Sequence, residues 1–562
     1  MEYKLVYRCL RRLSIWVADN YYSDVVVEGA ENVPESGPVI LASTHRNESI
    51  DVAILAVTVP HGRQVSYWAK ASLFKNPVVR WVMESSGAIP VQRGAENAGN
   101  KSNDEGAASQ TQADLFRAST ACLMAGGTLG VFPEGFSATL PGIGELRSGA
   151  AWAAVEHDRA ARLEAAARKQ EGGWTSARIV PVSIVYVDAP GYQSRVFVRY
   201  GKPIETSNYY GKTVDGDALE TRRIAVTQMV SELRSTLGNT GIDAPDWSTL
   251  HAAKTVLQIH WDNPNRQLSV RDWVVGMQGL VSYFASGVSA EERERRDGAR
   301  FALARYYALQ LHTRVDHCDL QALLPHNSSR HVHPPWHPVF SRALVPLLRL
   351  SIRTTLCLPA LLVYLPAYAT SAAATALLTR PDEPESYAQV AAVTGGLGLG
   401  LGFWAVWSTT RRWFGPFLER ILREVAPASY RRLALISSTR LGKLAIGYVM
   451  LRTITGWHDL FARENKWMYR RTIAAGHVLL SVAFPAYQNT SPAFDTPPVI
   501  AENPYARSKV QKDLLTRAAG AKHLWKFTLI SRLLIARQEA MGALEILKQD
   551  EEFIGILRKK GD

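Results

Sequence analysis

The stretch STHRNESIDVAIL, Ser43 to Leu55, sets an imidazole and a carboxylate close together where an apolar run gives way to a helix-like one. A neutral histidine can take a proton from an alcohol if a carboxylate fixes its tautomer and steadies the imidazolium that forms. His45 and Asp51 are the candidates for those two roles. Neighbours on one helix face are three or four residues apart, so five intervening residues must be bridged across a loop-to-helix turn. Glu48 could also orient the ring; Asp51 is preferred. A solvated histidine with a capping aspartate is the alternative.

Three further clusters carry polar residues at the ends of apolar runs. In SSGAIPVQRG a short strand leads from Gly87 to Arg93, whose planar fork of donors suits a phosphate dianion. In TLGVFPEGFSA a strand runs into Pro133-Glu134-Gly135 and Ser137, where glycine lets backbone N–H groups approach an anion closely. Arg147, in ELRSGAAWAAVE, is a second phosphate candidate. Pro181 interrupts the buried run RIVPVSIVYV and calls for an edge, a bulge or a binding role.

These clusters need a sheet to position them. Residues 1–240 alternate β-rich runs (DVVVEG, GPVILAS, VSYWAK, GTLGVF) with helical ones, the pattern of an α/β layer whose ligands sit at strand ends. A polar tract, residues 94–114, is expected to be a disordered surface insertion. Residues 241–343 are expected to be helical, closing in a loop rich in His and Pro, and residues 413–562 to be a separate helical region on the cytosolic side. The run KHLWKFTLISRLLIARQEAMGALEILKQ is expected there as a basic amphipathic helix. The N-terminal MEYKLVYRCLRRLSIWVADNYY lacks an unbroken apolar core, so a helix lying at an interface or docked on the domain is expected rather than a secretory signal.

Residues 344–412 differ. No charged residue occurs from Thr354 to Thr379 or from Tyr387 to Thr410, and both runs exceed the roughly 20 residues needed to cross a bilayer. Arg342, Arg349 and Arg353 precede the pair and Arg411 and Arg412 follow it, so a transmembrane hairpin with cytosolic flanks is expected. Two buried helices of a soluble core, or a re-entrant hairpin, are the alternatives.

The order and spacing of THRNESID, GAIPVQR, FPEGFS and IVPVSIV resemble the four blocks of the glycerolipid acyltransferase family, over residues 25 to 205. Lys70, Leu73 and Pro77 ahead of Gly87 fit the same pattern. The insertion after Arg93 and the late hairpin are most like the fungal glycerol-3-phosphate/dihydroxyacetone-phosphate acyltransferases. One departure stands out: the common family block has four residues between His and Asp.

That resemblance implies an αβ acyltransferase domain and transfer of an acyl group from acyl-CoA to glycerol 3-phosphate or dihydroxyacetone phosphate. No cofactor or metal is implied beyond acyl-CoA as co-substrate. It casts His45 as base and Asp51 as its orienter, with Arg93, Glu134, Gly135, Ser137 and Arg147 on the substrates. It also implies the endoplasmic reticulum membrane. Lysophosphatidate acylation uses the same blocks and is the alternative reaction.

The net charge of +13 suits anionic substrates or an anionic membrane. No nucleic-acid-binding motif accompanies it. Cys9, Cys122, Cys318 and Cys357 form no C-x-x-C pair, so neither a zinc site nor a disulfide framework is expected. His326, His331, His333 and His337 offer imidazoles for a metal, without a carboxylate or cysteine at a recognised spacing. A membrane scaffold without activity is the remaining non-enzyme reading.

Overall fold

A computed structural model describes residues 4–91, 105–168, 174–210, 218–261, 268–286, 289–324, 336–379, 386–413, 415–425, 439–489, 494–495 and 526–558. The N-terminal half is one eight-stranded sheet with helices on both faces. Its strands are β1 (Tyr22–Glu28), β2 (Val39–Ser43), β3 (Val65–Lys70), β4 (Ile89–Val91), β5 (Thr128–Val131), β6 (Arg178–Tyr186), β7 (Ser194–Tyr200) and β8 (Ile204–Glu205). The order is β1-β7-β6-β2-β5-β3-β4, with β8 beside the start of β6. From β6 through β2, β5 and β3 to β4 every pairing is parallel, so these strands all end on the same edge. Ligands of open α/β sheets bind beyond that edge.

The central strands are buried on both faces, as helix-covered parallel strands should be. Ile40, Leu41, Leu129 and Ile179 are each fully buried. Helix α1 (Lys4–Tyr21) docks through Tyr7, Ala18 and Tyr21 but leaves Leu5 and Leu13 in the open. Helices α2 (Glu48–Thr58), α3 (Pro77–Ser86), α4 (Glu105–Met124) and α5 (Gly149–Ala167) connect the strands, and α6 (Leu219–Thr240) follows β8. The expected disordered insertion is corrected in part: residues 105–114 are the first turns of α4, while 94–104 lie outside the described residues.

Pro181 is neither at an edge nor in a bulge. Strand β6 pairs with β8 as far as Ile179 and with β7 only from Val182. The missing N–H of Pro181 falls in the gap where one partner hands over to the next, so no ladder bond is lost.

A second core is wholly helical. It joins α7 (Trp247–Trp261), α8 (Val270–Ala285), α9 (Ala290–Thr313) and α10 (His317–Leu323) to elements from the far end of the chain. Those elements are the C-terminal half of α14 (Arg440–Ala483), α15 (Ile530–Leu547) and α16 (Glu551–Arg558). Residues 526–558 are therefore no separate region. The apolar face of α15 (Ile530, Leu533, Leu534, Ala540) is buried in this core and does not face a membrane.

Helix α11 (Trp336–Leu378) begins earlier than the expected hairpin, taking in His337 and Arg342, and is followed by α12 (Tyr387–Trp413) and the short α13 (Gly415–Val425). Both α11 and α12 are long and apolar enough to cross a membrane, and most of the surface of their apolar stretches is not covered by the protein. The glycines of GGLGLGLG explain their close approach. A Cβ on Gly402 would stand 2.0 Å from the Val363 carbonyl oxygen, and one on Gly398 would stand 2.6 Å from that of Pro366. Thr370 and Ser371 seal the contact by donating to the carbonyls of Thr394 and Ala391 at 2.9 and 2.8 Å.

Candidate active site

Strand β2 ends at Ser43, and the chain passes through Thr44 to His45 before α2 begins at Glu48. The spacing that no single helix could bridge is taken up by this turn plus the first helical turn. Asp51 curls back beneath it. Its Oδ2 accepts the backbone N–H groups of Arg46 and Asn47, each at 2.7 Å, and the ring Nδ1 of His45 at 2.9 Å. Oδ1 accepts the Tyr186 hydroxyl at 2.6 Å. Asp51 is fully buried, so these four bonds, and its place in the first turn of a helix, are what make the carboxylate tolerable there.

Because Nδ1–H donates to the carboxylate, the lone pair of His45 resides on Nε2. That atom has no hydrogen-bond partner among the described residues. The ring itself stacks on Phe132 with centroids 4.1 Å apart and remains 13% exposed. Tyr186 stays protonated: burial first, then the Asp51 charge beside it, push its phenol well above the usual range.

The FPEGFS block wraps around the histidine loop. Glu134 is buried, and its two oxygens accept the backbone N–H of His45 at 2.9 Å and of Gly144 at 3.0 Å. Ser137 accepts the backbone N–H of Glu48 at 3.0 Å, and Ala138 N–H donates to the His45 carbonyl at 3.3 Å. Glu134 and Ser137, both expected on the substrates, bond to the backbone of the loop that carries His45 and brace it. Arg46 adds to the brace, its guanidinium donating to the carbonyls of Leu140 and Gly142 at 2.9 and 2.5 Å.

Gly135 takes φ +79°, a conformation only glycine adopts without strain. Its N–H donates to the Phe132 carbonyl at 3.0 Å. Its missing side chain makes room for Arg147, whose Nε would lie 2.6 Å from a Cβ at that position. Arg147 is anchored by its backbone N–H to the Pro133 carbonyl at 2.8 Å, while its exposed guanidinium makes no ion pair among the described residues. A cation so placed beside the turn that holds His45 is available to an anionic ligand.

Arg93 lies outside the described residues. The described strand before it, β4, ends at Val91 on the same edge of the sheet as β2. Between β3 and β4, Asn76 caps α3 by accepting the N–H groups of Val78 and Val79, Pro77 opens the helix and Gly87 closes it at φ +85°.

Glu48 does not orient the imidazole; its carboxylate accepts the side-chain amide of Gln389 on α12, which ties the hairpin to the start of α2. Tyr186 and Phe132 were not legible as site residues, since each is one aromatic among many in a β-rich run. His326, His331 and His333 lie outside the described residues. Among the described residues no group of three or more potential ligands is gathered for a metal ion.

Comparison with known proteins places this geometry in context. The acyltransferase family profile matches residues 24–185. An uncharacterized acyltransferase of Schizosaccharomyces pombe is 32% identical over 102 residues, a stretch covering 17% of this chain and 15% of that protein. The crystal structure of the 1-acyl-sn-glycerophosphate acyltransferase PlsC from Thermotoga maritima matches at 19% identity and a TM-score of 0.26, over 41% of this chain and 80% of that one. Residues 24–185 form an acyltransferase-family domain, and the His45–Asp51 pair lies inside it.

Proposed function

We propose that the chain is a membrane-bound O-acyltransferase that moves a fatty acyl group from acyl-CoA to the sn-1 hydroxyl of glycerol 3-phosphate, with dihydroxyacetone phosphate as a related acceptor. The observation that carries this reading is a histidine fixed at Nδ1 by a buried, fully bonded carboxylate, with Nε2 left unpartnered among the described residues.

In this mechanism Nε2 accepts the proton of the acceptor hydroxyl as its oxygen attacks the thioester carbonyl carbon. The tetrahedral intermediate collapses with cleavage of the C–S bond, and the imidazolium returns the proton to the departing CoA thiolate. The product is an ester and free CoA, with no acyl-enzyme required. A positioned base contributes about 10² to 10⁴ in rate. Arg147 and Arg93 would hold the acceptor phosphate and fix the hydroxyl against Nε2.

The same dyad would serve lysophosphatidate. Membranes containing the protein, assayed side by side with glycerol 3-phosphate, dihydroxyacetone phosphate and lysophosphatidate, decide between the acceptors. Preference for glycerol 3-phosphate upholds the proposal, and preference for lysophosphatidate replaces it. On this reading the site works at the cytosolic face of an internal membrane, the endoplasmic reticulum, where α11 and α12 anchor it and a lipid product leaves without entering water.

A further inference from the structure

The two ends of the hairpin are gripped by different parts of the molecule. Toward its start, α11 buries Val339 completely in the helical core, with Ala343 packed against it. Toward the turn, Ala388 and Ala392 of α12 are buried in the core of the sheet domain, and the Gln389 amide donates to the Glu48 carboxylate. Between Ala343 and Tyr368, whose ring meets that of Tyr192 of the sheet domain at 6.3 Å between centroids, α11 rises about 38 Å. That exceeds the roughly 30 Å of a hydrocarbon layer. Yet the two parts touch directly: Val185 and Phe197 of the sheet pack on Val270 and Val274 of α8, and Arg271 pairs with Glu28 at 2.7 Å. A bilayer crossed by the hairpin would have to pass through that contact.

Helix α14 points the same way independently. It runs antiparallel to α11, with Glu464 beside Arg353 at 2.8 Å and Ile454 packed on the cluster of Val363 and Ala367. Its first residue, Arg440, therefore lies toward the turn end of the hairpin, whereas α12 ends at Trp413, toward the start of α11. If α11 and α12 crossed a bilayer, residues 414–439 would have to cross it too. That stretch carries Glu419, Arg420, Arg423, Glu424, Arg431 and Arg432, and charges are costly in a membrane interior.

The apolar surface of the hairpin is nonetheless uncovered. Val393, Leu397, Leu401 and Trp404 recur four, four and three residues apart on α12, each more than half exposed. Leu358, Leu362 and Leu365 form a matching stripe, about half exposed, on α11. Arg342, Arg349 and Arg353, seven and four residues apart, share the opposite face of that helix. We infer that α11 and α12 lie along one leaflet of a bilayer without crossing it, their leucine and tryptophan stripes in its hydrocarbon and the sheet domain and helical core together on one side. A helix about 10 Å across fits within a single leaflet, and the arginines then sit at the level of the headgroups. Through Gln389 and Glu48 the leaflet is brought to the first turn of α2, which carries Asp51. The inference concerns how the chain meets lipid and stands whether or not His45 transfers a proton.

The test uses the full chain with Cys9, the exposed one of its four cysteines, replaced by serine. Single cysteines are then introduced as Asp24→Cys on the sheet, Glu291→Cys on α9 or Glu383→Cys in the polar turn of the hairpin; Asp24 and Glu291 are both exposed. Sealed vesicles of uniform orientation carrying each variant are treated with a membrane-impermeant maleimide before and after detergent. Glu383→Cys is expected to be labelled to the same extent as the other two, within about twofold, under both conditions. A crossing hairpin places Glu383 on the far side, so labelling in opposite phase to Asp24→Cys and Glu291→Cys overturns the inference. A second arm reads the lipid contact. Leu362→Glu combined with Leu397→Glu alters two exposed side chains, and its thermal midpoint in detergent checks the fold. In flotation with phosphatidylcholine–phosphatidylserine liposomes the double variant is expected to lose at least about tenfold in bound over free protein. Flotation equal to that of the parent chain overturns the placement of these stripes in the leaflet.

Discussion

Tyr186 donates to Oδ1 of Asp51 at 2.6 Å, the carboxylate oxygen that His45 does not use. The histidine, the aspartate and the tyrosine come from the end of β2, the start of α2 and the end of β6, so the sheet itself sets their alignment. On the proposed mechanism Tyr186 is a positioning residue, acting on His45 through the carboxylate. Tyr186→Phe leaves that buried oxygen short of a donor, which costs about 1–3 kcal/mol. The carboxylate then holds its charge less well shared and attracts the imidazolium more strongly. The acid limb of the pH–rate profile is expected to move to higher pH, with kcat lowered about tenfold and the acceptor KM little changed. A loss of stability with an unmoved pH profile would count against this role.

Gly135→Ala places a Cβ where Arg147 now lies and forces a left-handed backbone on alanine. The strain amounts to about 1–2 kcal/mol. Displacing Arg147 should raise KM for the phosphorylated acceptor while kcat is largely retained. Steady-state kinetics against acceptor concentration, with thermal denaturation alongside, measure both effects.

The hairpin offers an internal control. Gly402 and Gly400 lie in the same apolar run, but a side chain at Gly402 meets the α11 backbone whereas one at Gly400 meets nothing within 4 Å. Gly402→Leu should separate the helices and speed proteolysis of the protein. Gly400→Leu should leave digestion at the wild-type rate.

Stability of the helical core should depend on pH in two directions. His251 and His317 are held down to about 3, His251 by burial and then Lys254, His317 by burial and then Arg537. Each binds fewer protons folded than unfolded between about pH 3 and 6.5, so their contribution is complete above 6.5 and lost as pH falls through that window. Asp319 is raised to about 8, by burial and then the Asp316 charge. It holds a proton when folded that the unfolded chain gives up, so stability declines as pH rises from about 4 to 8. Unfolding midpoints across pH 4 to 9 should fall more shallowly on the acid side in His317→Gln than in the wild type.

Much of the fold could be read from local pattern. Alternating β-rich and helical runs gave the α/β layer, and the two uncharged runs correspond to α11 and α12. What escaped depends on contacts between distant segments. Nothing near residue 530 signals that α15 packs on α9, and an amphipathic helix looks alike whether it faces a core or a bilayer. Pro181 misled because the handover from β8 to β7 is set by strands that follow it. Glu134 and Ser137 were identified by type and place, yet each bonds to a backbone N–H of a loop about ninety residues earlier, which no local spacing reveals.

The central claim is that Nε2 of His45 removes a proton from the acceptor hydroxyl. It is tested most directly by acyl transfer from acyl-CoA in membranes carrying wild type, His45→Ala and Asp51→Asn, with folding checked by proteolysis. The account expects His45→Ala to lose at least about 10²-fold in kcat, and Asp51→Asn, which favours the wrong tautomer, to lose about 10³- to 10⁴-fold. Near-normal turnover in a correctly folded His45→Ala protein would contradict it.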